Sequence, residues 1–251
     1  MSTSNQSRIV ASISVVGAGR VGRAAAASLR AAGYEVHGPT GRGERVEPAD
    51  AVLLCVPDRE IGEAGTVARD AAPLVGHTSG ATPLAEVGVD FGLHPLRAFV
   101  GTEGADSFAG IGCAVAGTSP EALRAAEELA LAVGGRPFEV RDEQRAGYHA
   151  AASIASNYLV TLQAAAETVA AASGLPDGFR AHLVPLVRGT VENWAALGPR
   201  EALTGPIVRG DEPTVQRQRA AVEASAPGLL PLFDELTERT RALVGSEGAP
   251  A

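Results

Sequence analysis

The chain has 251 residues, a formal net charge of −8 and an isoelectric point near 5.2. A negative surface argues against a nucleic acid or an anionic membrane as partner, because both bind positively charged protein surfaces. The length suits a nucleotide-binding domain with a smaller companion domain, and a small solute is the expected ligand.

Short β-branched runs alternate with alanine-rich helical segments in the first half of the chain. This alternation is typical of βαβ units that build a parallel sheet. The predicted strands are Ile13–Val16, Tyr34–His37, Ala51–Val56, Leu74–His77, Val89–Leu93, Ile111–Ala116 and Pro137–Val140. The predicted helices between them are Arg20–Ala32, Arg59–Ala71 and Pro120–Val133.

The pattern changes after Val140, where strand signals disappear and only helical segments follow. The predicted helices are Asp142 to about Ala172, Pro176–Leu183, Pro185–Leu197, Glu212–Ala224 and Gly228–Val244. We therefore predict an α/β fold in which a Rossmann domain with a mostly parallel sheet spans residues 1–140. An all-helical domain is predicted at 141–251.

The two cysteines, Cys55 and Cys113, lie in apolar runs and lack the spacing of metal ligands, so we expect free buried thiols and no metal. The first residues, MSTSNQSR, carry no apolar leader segment. The uncharged segment 146–166 is rich in polar residues, which favours a buried helix over a membrane span. We expect a cytoplasmic protein that has no membrane partner.

A G-x-G-x-x-G motif follows the first predicted strand directly and opens the first predicted helix. In this context Gly17 allows a tight turn, Gly19 lets the backbone approach a pyrophosphate, and Gly22 lets helix and strand pack closely. An ordinary glycine-rich turn is the alternative. The predicted dinucleotide loop comprises Gly17, Ala18, Gly19, Arg20, Val21 and Gly22.

The end of the second strand predicts the choice of cofactor. NAD-selective Rossmann domains carry an acidic residue there, whereas this chain has Thr40, with Arg42 two residues later. The guanidinium of Arg42 suits a 2′-phosphate, so we predict NADP, although a solvated loop arginine is the alternative.

Two further segments follow strands at the carboxyl edge of the sheet, where open α/β sheets bind ligands. Val56, Pro57 and Asp58 follow the third strand, and Ser79 follows the fourth. We assign these residues to the cofactor site. The alternative is that they are loop and cap residues, since Asp58 suits the N-cap of a helix that begins at Arg59.

Seven segments of the sequence resemble, in order, a bacterial family of Rossmann-like proteins whose C-terminal half is a domain of unknown function. The segments are VVGAGRVG, LLCVPDREI, HTSGA, GLHPL, YHAAASIASN, PLVRGTVEN and ALTGPIVRGD. That family is similar to ketopantoate reductases and pyrroline-5-carboxylate reductases, in which a helical domain follows the Rossmann half and often dimerises. The resemblance implies NADP-dependent reduction of a small carbonyl compound or imine.

The chain departs from ketopantoate reductases in one respect, because they donate a proton from lysine and this sequence contains none. His149, Ser153 and Asn157 recur at helical spacing and predict one polar stripe on a long apolar helix. We expect His149 to be the general acid and Asn157 to orient the carbonyl, with Tyr148 as the reserve proton donor. The alternative is that these groups are satisfied inside a helix bundle.

Other polar residues are assigned to the substrate. His94-Pro95 resembles a dipeptide of prephenate and arogenate dehydrogenases in which the histidine lies close to the substrate. In the glycine- and proline-rich segment 202–211, Thr204 and Arg209 are candidates for a closing loop and an anion anchor. Asn193 is predicted to face the same cleft.

The expected function is NADP-dependent reduction of a 2-oxo acid. The alternatives are an imine reductase or a prephenate or arogenate dehydrogenase. A non-catalytic NADP-binding redox sensor is the alternative of another class, because fold alone does not define function. We also expect a homodimer built by the helical half, because its first helix is apolar on nearly every face.

Overall fold

A sheet of seven strands forms the centre of the first half of the chain, in the order β2-β1-β3-β4-β5-β6-β7. This computed structural model describes residues 8–245, so the prediction made for the first residues of the chain falls mostly outside the described part. The strands are β1 Ser12–Val16, β2 Glu35–Thr40, β3 Ala51–Leu54, β4 Leu74–His77, β5 Phe91–Pro95, β6 Gly112–Gly117 and β7 Arg136–Glu139. Only β5 and β6 pair antiparallel, which confirms the mostly parallel sheet.

Strand β1 lies between β2 and β3, with Ile13 opposite Val36 on one side and Ala51 on the other. The chain therefore adds β2 on one side of β1 and then returns to add β3 on the other. The carboxyl ends of β1 and β3 consequently lie side by side with a crevice between their connections. Doubly wound sheets bind ligands at such a switch point.

Helices cover both faces of this sheet. They are α1 Arg20–Ala31, α2 Ile61–Ala68, the single turn α3 Leu84–Val87, and α4 Pro120–Ala132. Leu29 of α1 and Leu129 of α4 share one apolar cluster with Phe91 of the sheet. Ile61 of α2 belongs to a second cluster with Leu54. Two buried faces explain why the strands read as continuous apolar runs.

The long helix predicted from Asp142 to Ala172 is wrong, because the structure divides it in two. A 3₁₀ turn at Asp142–Gln144 leads into α5, Arg145–Ala155, and α6 spans Asn157–Ala172. Ser156 separates them with φ −115° and ψ −73°, which interrupts the helical path. Within residues 8–245, no helix is long and apolar enough to cross a membrane.

The next prediction, of separate helices on either side of Pro185, is also wrong. A single helix, α7 Arg180–Glu201, contains Pro185 and kinks at Gly198. Proline removes only one backbone donor, and here the helix continues through it. The last two helices, α8 Glu212–Ser225 and α9 Leu230–Gly245, lie close to their predicted positions.

The chain forms two compact units, one ending at Ser156 and the other starting at Asn157. Helix α5 therefore belongs to the unit that contains the sheet, although the sequence pattern put the domain boundary at 140. In the second unit α8 packs against α9, while α6 contacts α8 and α7 contacts α9. Asp211 is the N-cap of α8, because its side chain accepts a hydrogen bond from the Thr214 N–H.

Candidate functional site

The glycine turn after β1 has a backbone that side chains would block. Gly17 has φ +107°, and a Cβ there would lie 2.3 Å from the Cys55 carbonyl oxygen. A Cβ at Gly22 would lie 1.8 Å from the Gly17 carbonyl oxygen, so helix and turn can approach only with glycine at both positions. At Gly19, by contrast, a Cβ would meet no other atom within 4 Å. The turn thus leaves room for a ligand at the N-terminus of α1, where free N–H groups favour an anion.

Neighbouring backbone fixes this turn on both sides. The Gly17 N–H donates to the Thr40 carbonyl at 2.8 Å, and the Cys55 N–H donates to the Val16 carbonyl at 2.7 Å. Val56 lines the same turn, since its side chain lies 3.3 Å from a Cβ built at Gly17. Among the other predicted loop residues, Ala18, Arg20 and Val21 are at least partly exposed.

Arg42 lies beside the crevice, where two loops meet. Its Nη2 donates to Glu60 Oε1 at 2.7 Å, which joins the turn after β2 to the turn after β3. Arg59 Nη2 lies 3.7 Å from the same carboxylate oxygen. Thr40 is buried, and its hydroxyl donates to the Val15 carbonyl. The predicted phosphate site therefore contains a carboxylate that the sequence argument had not considered.

The turn after β3 differs in detail from the predicted helix start. Pro57 is the N-cap residue of a 3₁₀ turn, Asp58–Glu60, and Glu60 is the N-cap residue of α2, so Asp58 occupies neither cap position. The N-cap alternative for Asp58 is therefore wrong. Its carboxylate remains exposed. Burial lowers the pKa of both His77 and His94, and the negative charge of Asp58 partly opposes this effect.

The loop after β4 is organised by its own polar groups. The Ser79 hydroxyl accepts hydrogen bonds from the N–H groups of Ala81 and Thr82, and the Ser79 N–H donates to His77 Nδ1 at 3.0 Å. Ser79 thus stabilises its own turn, and its hydroxyl donates to Thr82 Oγ1 at 3.0 Å. His77 is fully buried, and its Nε2 has no hydrogen-bond partner within residues 8–245.

His94 and Tyr148 form a close polar pair at this edge of the sheet. His94 Nδ1 lies 2.6 Å from the Tyr148 hydroxyl, and the two rings meet edge to face. The His94 ring lies against Gly80, where a Cβ would be 2.9 Å away. Phe138 of β7 also packs against Tyr148, with ring centroids 5.9 Å apart. The tyrosine ring therefore contacts two other aromatic rings.

Both members of the pair are neutral near pH 7. Burial, with the nearby His149 and Arg145, lowers the pKa of His94 to about 4. Burial, followed by the proximity of Cys113, raises the pKa of Tyr148 to about 12. A neutral imidazole carries one ring proton, so the shared hydrogen bond can run in either direction between Nδ1 and the phenol oxygen.

Arg145, at the first turn of α5, is a buried cation that the sequence argument missed. Its Nε donates to Asp142 at 2.9 Å, its Nη1 donates to the Ser79 carbonyl, and its Nη2 lies over Gly92 of β5. Asp142 also accepts from the N–H groups of Leu84 and Ala85. The pair thereby fixes the start of α5 to the loop after β4. The i,i+3 spacing of an acid and an arginine was the available signal.

The predicted stripe of three polar residues does not exist as one helix face. His149 and Ser153 lie on α5, whereas Asn157 begins α6 in the second unit. His149 and Asn157 are both exposed in this chain. The ring of His149 lies 6.5 Å from that of His94, centroid to centroid, which keeps it near the pair.

The other predicted substrate residues lie in the second unit. Asn193 is exposed on α7, and Thr204 and Arg209 are exposed in the turns between α7 and α8. Their roles stay predictions. Within the described residues, no group of three histidine, cysteine or acidic side chains is arranged to hold a metal ion.

The sheet order, the glycine turn and the helical second unit define a Rossmann-like protein in two parts. The sequence profile of a domain of unknown function, DUF2520, matches residues 111–240, just over half of the chain. The chain belongs to this family. No curated protein matches the sequence.

Solved structures share this fold. A proposed NADP oxidoreductase from Bacteroides fragilis is similar with a TM-score of 0.75 and 22% identity, over 93% of this chain and 99% of that one. Protein TM1727 from Thermotoga maritima gives 0.74 and 23%, over 92% and 98%. An imine reductase from Myxococcus stipitatus, in complex with NAD⁺, gives 0.56 and 15%, over 92% and 94%. At these identities the likeness establishes the fold.

Proposed function

We propose that the protein is an NADP-dependent oxidoreductase that reduces a small carbonyl compound, with 2-oxo acids as the first substrate class. One observation carries the proposal. The glycine turn after β1 and the His94–Tyr148 pair, whose histidine lies near the end of β5, are both at the carboxyl edge of the parallel strands. A dinucleotide bound along this edge would extend from the turn toward the pair.

The residues of the crevice fit such a cofactor. The space at Gly19 and the free N–H groups of α1 suit a pyrophosphate, and Arg42 suits a 2′-phosphate. Val56 lies against the glycine turn, and the exposed Pro57 follows it. The bound nicotinamide would supply the hydride, so the protein must orient the acceptor and deliver one proton.

We assign proton delivery to Tyr148, which was the reserve candidate, in preference to His149. With the imidazole proton on Nδ1, His94 donates to the phenol oxygen and leaves the Tyr148 O–H free to donate to a substrate oxygen. The same Nδ1–H then stabilises the phenolate that remains. His149 would add a polar group beside the pair, and Ser153 and Asn157 stay candidates for orienting the carbonyl.

Two other reactions fit the same site. Imine reduction also needs a hydride and one proton donor, and an imine reductase shares the fold. A prephenate or arogenate dehydrogenase is the other, because His94-Pro95 resembles their dipeptide and a neutral His94 could accept a proton from a hydroxyl group. A redox sensor that binds NADP without catalysis needs neither Tyr148 nor His94.

We also propose that the protein is a homodimer formed by the helical unit. Several large apolar side chains are exposed there; they include Tyr158, Val160, Leu186, Val191, Trp194 and Leu197. Most lie on α6 and α7, which border a groove of about 490 Å³. Arg188 lines this groove as well, together with Glu167, whose carboxylate accepts two hydrogen bonds from Arg180 of the same chain.

The deciding experiment follows oxidation of NADPH and of NADH with a panel of 2-oxo acids and cyclic imines, and reduction of NADP⁺ and of NAD⁺ with prephenate. Turnover of a 2-oxo acid with NADPH would support the first proposal. Turnover confined to imines or prephenate would select an alternative. Tight cofactor binding without turnover of any class would favour the sensor.

A further inference from the structure

We propose that the Glu60 carboxylate competes with the cofactor's 2′-phosphate for the guanidinium groups of this site. We propose also that Arg59 is, after Arg42, a second arginine of the phosphate site. In this arrangement the carboxylate holds the guanidinium groups that the phosphate would use. The inference rests on the proposed function, because it concerns the choice between NADPH and NADH. It adds to the sequence prediction two residues that the pattern had not assigned.

The geometry brings two arginines from different loops to one oxygen atom. Arg42 Nη2 and Arg59 Nη2 lie 2.7 and 3.7 Å from Glu60 Oε1. The Glu60 side chain is 24% exposed, whereas those of Arg42 and Arg59 are 81% and 84% exposed. The carboxylate is therefore the more buried partner, and the two guanidinium groups are more exposed to solvent than it is. These loops follow β2 and β3, which flank the strand that carries the glycine turn.

A carboxylate and a phosphate compete for such donors directly. Both are oxyanions that bind the N–H groups of a guanidinium through charge-assisted hydrogen bonds. A bound 2′-phosphate would take the donors of Arg42 and Arg59 and would also meet the negative charge of Glu60. A ribose hydroxyl, as in NADH, carries no charge and has no such conflict. The arginines thus favour NADPH, and Glu60 reduces that preference.

Loss of the negative charge at Glu60 and loss of the positive charge at Arg59 should therefore have opposite effects on NADPH affinity. Glu60→Gln removes the competing charge at nearly constant size and should raise NADPH affinity about two- to fivefold, because exposed ion pairs are weak. Arg59→Ala removes a donor and should lower NADPH affinity about tenfold. NADH affinity should stay nearly unchanged in both variants. Added salt should shrink both effects, since exposed charges are screened.

Matched controls come from exposed positions elsewhere in the same unit. Glu63→Gln on α2 and Arg124→Ala on α4 change the net charge by the same amounts as the two test variants. Both controls should leave the affinity ratio of NADPH to NADH unchanged. A general effect of net charge would instead appear in the controls as well.

The test is equilibrium titration of the full-length protein and these variants with NADPH and with NADH, by calorimetry or cofactor fluorescence. The proposal is supported if the affinity ratio of NADPH to NADH is higher than wild type in Glu60→Gln and lower than wild type in Arg59→Ala. If Glu60→Gln weakens NADH binding, Glu60 instead binds the ribose and the proposal is overturned. Weaker NADPH binding or no change in that variant also overturns it. A wild-type protein that binds neither cofactor would refute the proposed function itself.

Discussion

Asp142 and Arg145 form an ion pair in which the carboxylate Oδ1 lies 2.9 Å from the guanidinium Nε, and only 4% of the Arg145 side chain is exposed. Removing one member of a buried pair leaves the other charge without its partner. We expect Arg145→Met to lower the free energy of unfolding by about 2–4 kcal/mol. Urea denaturation measures this change.

The control is Arg141→Met, because Arg141 is exposed and its nearest acid, Glu143, lies 3.9 Å away. An exposed position of this kind should change stability by less than about 0.5 kcal/mol. Equal losses in the two variants would show that Arg145 is no more important to the fold than a surface arginine.

His77 gives the stability a defined dependence on pH. Burial, followed by the charge of Arg145, lowers the pKa of His77 to about 4, below its ordinary value near 6.5. Between these values the unfolded chain binds a proton that the folded chain does not. The free energy of unfolding should therefore fall as the pH decreases from about 6.5 to about 4, by up to about 3 kcal/mol from this residue.

Denaturation of wild type and His77→Asn at pH 7, 5.5 and 4.5 tests that dependence. The variant should be less stable at pH 7, but its stability should decrease less steeply with acid. Parallel curves for the two proteins would contradict the assignment to His77.

The glycine turn could be predicted from the sequence because its requirements are local. A strand, two constrained glycines and a helix start lie within ten residues, and backbone contacts alone decide which residues fit at Gly17 and Gly22. The mostly parallel sheet could be predicted for a similar reason, since the apolar strands and intervening helices alternate along the chain.

The His94–Tyr148 pair could not be predicted in the same way, because the two residues are 54 positions apart. Their contact depends on where Asp142 anchors the start of α5, which is a tertiary effect. The break at Ser156 was missed because no glycine or proline marks it. Once the helix divides, the spacing of His149 and Asn157 no longer defines a shared face.

Arg42 provides a second test of cofactor choice, from the arginine side of its ion pair with Glu60. We expect Arg42→Ala to weaken NADPH binding by about 1–3 kcal/mol, through loss of a charge-assisted hydrogen bond to the 2′-phosphate. NADH binding should change little. Titration with both cofactors measures the difference, and equal loss for both would show that Arg42 does not distinguish them.

The proposed dimer predicts twice the chain mass in light scattering at micromolar concentration. Leu186 is 66% exposed on α7, so Leu186→Glu should introduce a charge into the interface and give monomers. Val67→Glu is the matched control, because Val67 is 61% exposed on α2 of the other unit. A wild-type protein that is monomeric under these conditions would refute the dimer.

The last prediction separates Tyr148 from His149 as the source of the proton. Tyr148→Phe keeps the aromatic ring that packs against Phe138 but removes the hydroxyl, so it should reduce turnover about 10²–10⁴-fold. NADPH affinity should stay intact, because the glycine turn is unchanged. Tyr158→Phe is the control, since Tyr158 is exposed on α6, and it should keep normal turnover.

The pH profile supplies the second readout. With the pKa of His94 near 4 and that of Tyr148 near 12, neither group changes protonation between about pH 5 and 9, so the rate should be nearly flat there. A proton donor that is charged in its acid form would instead make the rate fall as the pH rises. His149→Asn should therefore reduce turnover much less than Tyr148→Phe does. A falling profile that His149→Asn abolishes, together with near-normal turnover in Tyr148→Phe, would assign the proton to His149.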